Sequence, residues 1–421
     1  MVIKRAIYSA IKKHLSAPEM SIITGPRQVG KTFLMNMLED ELKKKGEKTL
    51  YLNLDLDEHF PLFESQRKLI DYIKLQVGER KAYIFIDEIQ KKENAEIFLK
   101  GIYDMRLPYK FILSGSGSLE LKSKISESMV GRKRFFTADP LSFEEFVNVK
   151  TDYRYEKKLQ DFFVLLEKQT QSLFEEYLMY GGYPRVVLAE TAEEKRLIME
   201  DIYKSYIERD IKSFLTVDKP GAFTDLVKIL SSQIGSLVNT VELSSTIGIA
   251  GKTVQRYLWY LEKTFIIKKL TPFYRNVRSE IVKSPMYYFV DIGLRNYLLR
   301  LVGLPSIPDS FTGHLFENVI FNMLRERIRH LPGEIHFWRT KDQAEVDFVV
   351  QIGLEIIPIE VKYSHLKTPQ TSRSFKSFIA KYQPKKAFIV HLGEQLSPID
   401  FKGTKIYFIP YYNCSVITKD L

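Results

Sequence analysis

Eight consecutive residues constrain this chain more than any other segment: Gly25, Pro26, Arg27, Gln28, Val29, Gly30, Lys31 and Thr32. An apolar run, Met20 to Ile23, precedes them, and a helical pattern opening at Phe33 and running to Leu42 follows. Glycines at both ends of such a loop let successive backbone N–H groups curl around an anion. The lysine then reaches terminal phosphates, and the threonine hydroxyl is offered to Mg2+. The segment from Gly25 through Phe33 therefore predicts a site for ATP with Mg2+, in which Lys31 also serves the reaction and Thr32 is a metal ligand.

About 55 residues further on, Tyr83 to Gln90 reads as an apolar strand ending in two acids. A strand buried in a parallel sheet exposes its functional groups at the carboxyl end. Asp87 is thereby expected in the Mg2+ shell and Glu88 beside an attacking water. Thr49 to Leu54 and Lys110 to Leu113 read as further strands, the latter running into Ser114-Gly-Ser-Gly-Ser118. Ser114 first, and Ser116 second, are the hydroxyls that would sense a γ-phosphate, although Ser-Gly runs are also ordinary turns. Strands alternating with helices predict a doubly wound, mostly parallel α/β sheet.

A length of 421 residues implies two to four domains. Lys and Arg number 63 against 52 Asp and Glu, giving a net charge of +11, which favours a polyanionic partner such as DNA. The single cysteine, Cys414, excludes an internal disulfide and any multi-cysteine metal site, so a reducing, cytoplasmic setting is expected. No apolar stretch approaches bilayer length, so no membrane partner is expected. Ile3, Ile7, Ile11 and Leu15 recur every fourth residue and predict a helix leading into the ATPase part. The 7 histidines are scattered, and neither His314 nor His336 has ligand spacing.

Residues 225–300 hold 11 Lys and Arg against 5 Asp and Glu. Val241 to Ile247 and Thr253 to Thr264 read as two helices about a glycine turn. Ile266 to Tyr274 and Met286 to Val290 read as strands flanking a basic hairpin, the pattern of a winged helix. On the second helix Val254, Tyr257, Leu258 and Leu261 share one face, leaving Lys252, Gln255, Arg256 and Lys263 on the other. With Arg275 and Arg278 of the hairpin these are the candidate nucleic-acid contacts, the basic groups for phosphates and Gln255 and Arg256 for base edges. A rigid lid or protein-docking module would have the same pattern.

Near the C-terminus, Glu345, Val346 and Asp347 are joined to Ile359, Glu360, Val361 and Lys362 through a turn at Gly353-Leu354. A two-residue turn opposes Asp347 to Glu360 and Glu345 to Lys362. Strand periodicity puts all four on one face with Val346, Phe348 and Val361 behind. Opposed carboxylates repel unless a cation sits between them, so Asp347 and Glu360 are candidate Mg2+ ligands, with Lys362 beside an activated water. A plain salt-bridged strand pair, Glu345 with Lys362, is the competing expectation.

These segments, together with Gly131 to Phe136, Pro140 to Phe146 and Gly181 to Arg185, resemble prokaryotic AAA+ ATPases related to the STAND and origin-recognition lineages. More narrowly, they resemble the group joining such an ATPase to a C-terminal domain like the PD-(D/E)xK nucleases. The resemblance implies a P-loop AAA+ core over residues 1–150, a helical lid over 151–215, a winged-helix domain over 216–302 and a restriction-endonuclease-like α/β domain over 303–421. It also implies that Gly182, Tyr183 and Pro184 lie near the nucleotide, with Arg185 an extension of that set. Glu317 would complete the nuclease-type site with Asp347, Glu360 and Lys362. Val346 stands where the family name has proline. An arginine acting on a neighbouring subunit would be Arg132, Arg134 or Arg209, and a homo-oligomer is implied by analogy only. The resulting expectation is an ATP-hydrolysing protein whose nucleotide state controls DNA binding and Mg2+-dependent cleavage. The alternative is an ATP-dependent switch, scaffold or transcription regulator with a non-catalytic nuclease-like domain.

Overall fold

The computed structural model describes residues 2–116, 129–206, 219–274 and 284–419. Arg275, Arg278 and Arg209 fall outside the described residues. The first sheet is five-stranded and parallel: β1 (Met20–Gly25), β2 (Thr49–Asn53), β3 (Ala82–Asp87), β4 (Tyr109–Ser116) and β5 (Lys133–Thr137), in the order β2-β3-β4-β1-β5. All six residues of β1 and all six of β3 are buried, as expected for parallel strands covered on both faces. Ile23 and Phe85 pack with Leu34 and Leu38 of helix Lys31–Lys44 on one side. Ile22, Ile84 and Ile86 pack with Leu69 and Leu99 on the other. β4 lies between the strand leading to the phosphate loop and the strand ending in Asp87, so both functional ends meet at one sheet edge. The N-terminal helix is shorter than its periodicity suggests, Ala6–Lys13.

Five α-helices of 5 to 14 residues follow between Phe143 and Ser205. The next region holds helices Thr240–Ile247 and Gly251–Lys263 and the antiparallel strands β6 (Ile267–Pro272) and β7 (Met286–Phe289). This hairpin does not stand apart. Thr271 and Pro272 pair with His336 and Phe337 of β8 (Gly333–Arg339), so the hairpin forms one edge of the C-terminal sheet. That sheet continues through β9 (Glu345–Ile352), β10 (Glu355–Lys362), β11 (Lys386–His391), β12 (Leu396–Phe401) and β13 (Thr404–Pro410), in the order β12-β13-β11-β10-β9-β8-β6-β7.

An aromatic cluster and a buried carboxylate tie the regions together. Phe174 of helix Glu167–Tyr180 stacks on Tyr411 at 3.9 Å and meets Phe316 of the C-terminal helix Asp309–Ile328. The second tie is Asp291, 4 % exposed, which accepts the Gly182 N–H at 2.8 Å and caps helix Ile292–Leu298 through the Leu294 N–H at 2.8 Å. Gly181 must be glycine here: its φ is +70° and a Cβ would lie 2.5 Å from the Asp291 carboxylate.

Burial raises the Asp291 carboxyl from 3.8 to about 6 despite its backbone donors. The folded chain therefore holds a proton that the unfolded chain has lost between these values, and stability falls as pH rises through that window. Unfolding by denaturant at pH 4 and at pH 6.5 is expected to show this slope, and Asp291→Asn is expected to flatten it; an unchanged slope would remove Asp291 as its source.

Candidate functional site

The phosphate loop has the left-handed backbone an anion cradle requires, with Gln28 at φ 59° and Gly30 at φ 88° ahead of helix Lys31–Lys44. At Gly25, φ is +145° and a Cβ would come within 2.0 Å of the Ala138 carbonyl oxygen, so no side chain fits. The Lys31 ammonium donates to the carbonyls of Gly25 (3.1 Å) and Pro26 (2.6 Å), so it already stands over the loop whose anion it would serve. Val29 is buried, whereas Thr32 and Phe33 are exposed.

Asp87, 1 % exposed, collects the functional groups at the sheet edge. Its Oδ2 accepts from the Thr32 hydroxyl at 2.7 Å and the Tyr51 hydroxyl at 2.9 Å, and its Oδ1 accepts from Ser114 and from the Glu88 N–H at 3.0 Å. Thr32 and Asp87 thus form an adjacent hydroxyl and carboxylate, hard oxygen donors suited to Mg2+. Ser114 is wholly buried and serves Asp87, so it orients the acid instead of standing free towards a phosphate. Glu88 adopts a left-handed conformation, φ 57° and ψ 39°, which turns it out of the strand. Burial raises its carboxyl pKa, opposed by Lys31, and Gln90 donates to its Oε2. Tyr51 and Gln90 had no sequence signal of their own.

A cleft of about 660 Å3 opens over these groups, with Lys31, Thr32, Phe33 and Glu88 on one wall and Pro184, Arg185 and Leu188 on the other. Arg185 donates to Gln28 Oε1 at 3.2 Å, so the segment at Pro184 touches the loop. Gly182 and Tyr183 are buried behind it, with the Tyr183 hydroxyl 3.0 Å from that of Tyr206. Arg132 pairs with Asp104 at 2.8 Å and Arg134 lies over the Phe136 ring.

The C-terminal acids come together, but not in the expected pairs. The hairpin register is the expected one from Glu355↔Ile352 to Ile359↔Phe348. Beyond it the neighbouring ladder shows an extra residue on β9: His336 faces Val349 while Trp338 faces Val346. This β-bulge breaks the two-residue alternation and re-aims Asp347. Val346 consequently packs with Val349 and Phe378, while Phe348 and Val361 lie in the opposite core, so the three do not pack together behind one polar face. Asp347 accepts the Val361 N–H at 2.6 Å. Lys362 pairs with Glu360 at 2.7 Å and Glu345 with Arg339 at 3.7 Å, in place of the Glu345–Lys362 pair. Ser372 donates to Glu360 at 3.2 Å.

Glu317 projects from helix Asp309–Ile328 and accepts from the Tyr288 hydroxyl at 3.3 Å. Withdrawal from water, then the charges of Glu317 and Glu360, hold the Asp347 carboxyl well above its usual range; burial likewise raises Glu345. His314 Nδ1 lies 3.1 Å from Glu317 Oε2. It is one helical turn before Glu317, a spacing that carries no metal signal in sequence. The donors are all of a kind that suits Mg2+, yet among the described residues no three His, Cys, Asp or Glu side chains are spaced to hold a metal ion.

Residues 17–147, which contain the entire loop, sheet and Asp87 cluster, match the family model described as AAA domain. This part of the chain is similar to an AAA domain. Residues 171–304 and 312–412 match two models described as domains of unknown function, DUF8612 and DUF4143. An uncharacterised protein of Haemophilus influenzae is 27 % identical over 357 residues, 82 % of each chain. One of Mycobacterium tuberculosis is 25 % identical over 410 residues, 95 % of this chain and 82 % of its own. The crystal structure of Cdc6p from Pyrobaculum aerophilum covers 69 % of this chain and 90 % of its own, at 11 % identity and a TM-score of 0.28.

The phosphate loop and the acidic site are physically connected. Arg5, 8 % exposed, donates to the Val29 carbonyl of the phosphate loop (3.1 Å), to the Asp139 carbonyl (2.6 Å) and to both oxygens of Glu145 (3.2 Å each). The Asp139 carboxylate in turn accepts from Arg329 and lies 3.6 Å from Arg325. Arg325 is on the helix that carries Glu317, eight residues or about 12 Å further along. On helix Gly251–Lys263, Val254, Tyr257, Leu258 and Leu261 are buried, while Lys252, Gln255 and Arg256 are exposed and Lys263 is half-buried, as the periodicity predicts. Among the described residues no helix is long and apolar enough to cross a membrane.

Proposed function

We propose that the AAA domain binds and hydrolyses ATP, and that its nucleotide state governs DNA binding by the remainder of the chain. The observation that carries this is the convergence of Thr32, Tyr51 and Ser114 on the buried Asp87, next to a cleft lined by Lys31, Thr32 and Glu88 and walled by Pro184 and Arg185. The loop N–H groups and Lys31 bind the phosphates. Thr32 and Asp87 would hold Mg2+, which would supply positive charge to offset that of the bound phosphates. Glu88, held by Gln90, takes the proton of the attacking water. Closure of Arg185 on Gln28 excludes bulk water from the reacting atoms. The path from Val29 through Arg5 and Asp139 to helix Asp309–Ile328 carries the change in the loop to the acidic site.

At the acidic site one reading is phosphodiester hydrolysis, for which Asp347, Glu360 and Glu317 would have to draw together around Mg2+, with Lys362 beside the nucleophile. A specific observation favours a second reading, a binding domain that does not cleave. Lys362 and Ser372 engage Glu360, the Val361 N–H engages Asp347, and the acids are not spaced as a metal cage. Supercoiled, linear and single-stranded DNA incubated with Mg2+, with and without ATP, separate the two. Cleavage by the native chain and its loss in Lys362→Ala is expected for a nuclease. Retarded but uncut DNA with both proteins leaves the ATP-governed binding module.

A further inference from the structure

The exposed face of helix Gly251–Lys263 carries more than its basic residues. The chain has 2 tryptophans. Trp338 is 3 % exposed in a C-terminal core, whereas Trp259 is 42 % exposed. A surface tryptophan leaves much apolar ring in water, and the usual compensation is a partner with a flat face. Trp259 stands one helical turn beyond Gln255 and Arg256, and the Lys263 ammonium lies 5.8 Å from its ring centroid. Beside it opens a cleft of about 400 Å3, edged by Asn239, Thr240, Gln255, Glu262 and Lys269. Asn239 is exposed and its Oδ1 accepts the Val241 N–H at 3.0 Å.

The charges and the cleft select the partner. Lys252, Arg256, Lys263 and Lys269 suit a phosphate backbone. Glu262 within the cleft would repel a phosphate but accepts a hydrogen bond from an exocyclic amine of a base. In a duplex both faces of each base are covered by neighbours, and only an unpaired base offers a face to an aromatic ring. We infer that this surface binds single-stranded nucleic acid, one unpaired base stacking on Trp259 with its edge in the cleft lined by Asn239, Gln255 and Glu262. The inference rests on the nucleic-acid-binding reading and narrows it to unpaired strands.

The Trp338→Phe chain makes Trp259 the sole tryptophan, so its emission reports on this surface directly. If that variant does not fold, the difference between the native chain and Trp259→Phe isolates the same signal. Single-stranded oligonucleotides and the matching duplex are titrated at one salt concentration, with gel retardation run in parallel. Saturable quenching by the single strand and little by the duplex is expected. Trp259→Ala is expected to weaken single-strand binding by roughly five- to 150-fold, the range for loss of one stacked base, with duplex binding changed less than about twofold. Retarded oligonucleotide without quenching, or equal loss for both DNA forms, would overturn the stacking site while leaving nucleic-acid binding in place. No binding of either form at low salt would overturn both.

Discussion

The Glu88→Gln chain is expected to retain ATP while its turnover falls by roughly 10²- to 10⁴-fold, the range for removing a general base. Glu88 is the acid at the carboxyl end of β3 that is turned towards the cleft, whereas Asp87 beside it is enclosed by four donors. Burial raises the Glu88 pKa, which strengthens it as a base, and the amide of Gln90 holds one carboxylate oxygen. The glutamine side chain has nearly the same shape but does not accept a proton, so binding and chemistry separate. Turnover of the variant equal to that of the native chain would remove Glu88 from the mechanism and leave the water to another group.

The second large effect is expected at Arg5, far in sequence from either site. Its guanidinium is almost wholly enclosed, and its fork satisfies two backbone carbonyls and a carboxylate at once, with side-chain exposures of 6 % for Arg5 and 11 % for Glu145. Removing one partner of a buried charge pair costs roughly 3–5 kcal/mol; Glu145 would keep the N–H groups of Ala6 and Ser142 but lose its countercharge. Arg5→Ala is therefore expected to lower stability to denaturant by that amount and to weaken ATP binding as well, since the Val29 carbonyl belongs to the phosphate loop. Arg5→Lys keeps the charge but not the fork and is expected to fall between. A variant as stable as the native chain would show that the link from loop to C-terminal helix does not hold the two together.

The parts of this molecule that sequence reveals are those whose chemistry is contiguous. The phosphate loop, the apolar strand ending in Asp87 and Glu88, and the buried stripe of helix Gly251–Lys263 each lie within one segment, where spacing and period suffice. Arg5, Tyr51, Gln90 and Asp291 act through partners 24 to 140 residues away or through the side chain of a turn, and nothing near them in sequence marks the contact. The acidic site shows the boundary between the two cases. Turn chemistry correctly set the register of β9 and β10 as far as Phe348 and Ile359. The extra residue in β9 against β8 then redirected Asp347, and a bulge depends on a third strand that the hairpin pattern does not contain. Trp259 illustrates a different gap: the period puts it on the face of Gln255, Arg256 and Lys263, but how much of its ring stands in water depends on what packs around the helix.

Calorimetric titration of Mg2+–ATP into the intact Glu88→Gln chain, which cannot consume its ligand quickly, tests the central claim most directly. Saturable binding at one site per chain, abolished by the further substitution Lys31→Ala, is the predicted result. Absence of binding, or binding that survives the loss of Lys31 unchanged, would contradict the assignment of the cleft to a nucleoside triphosphate.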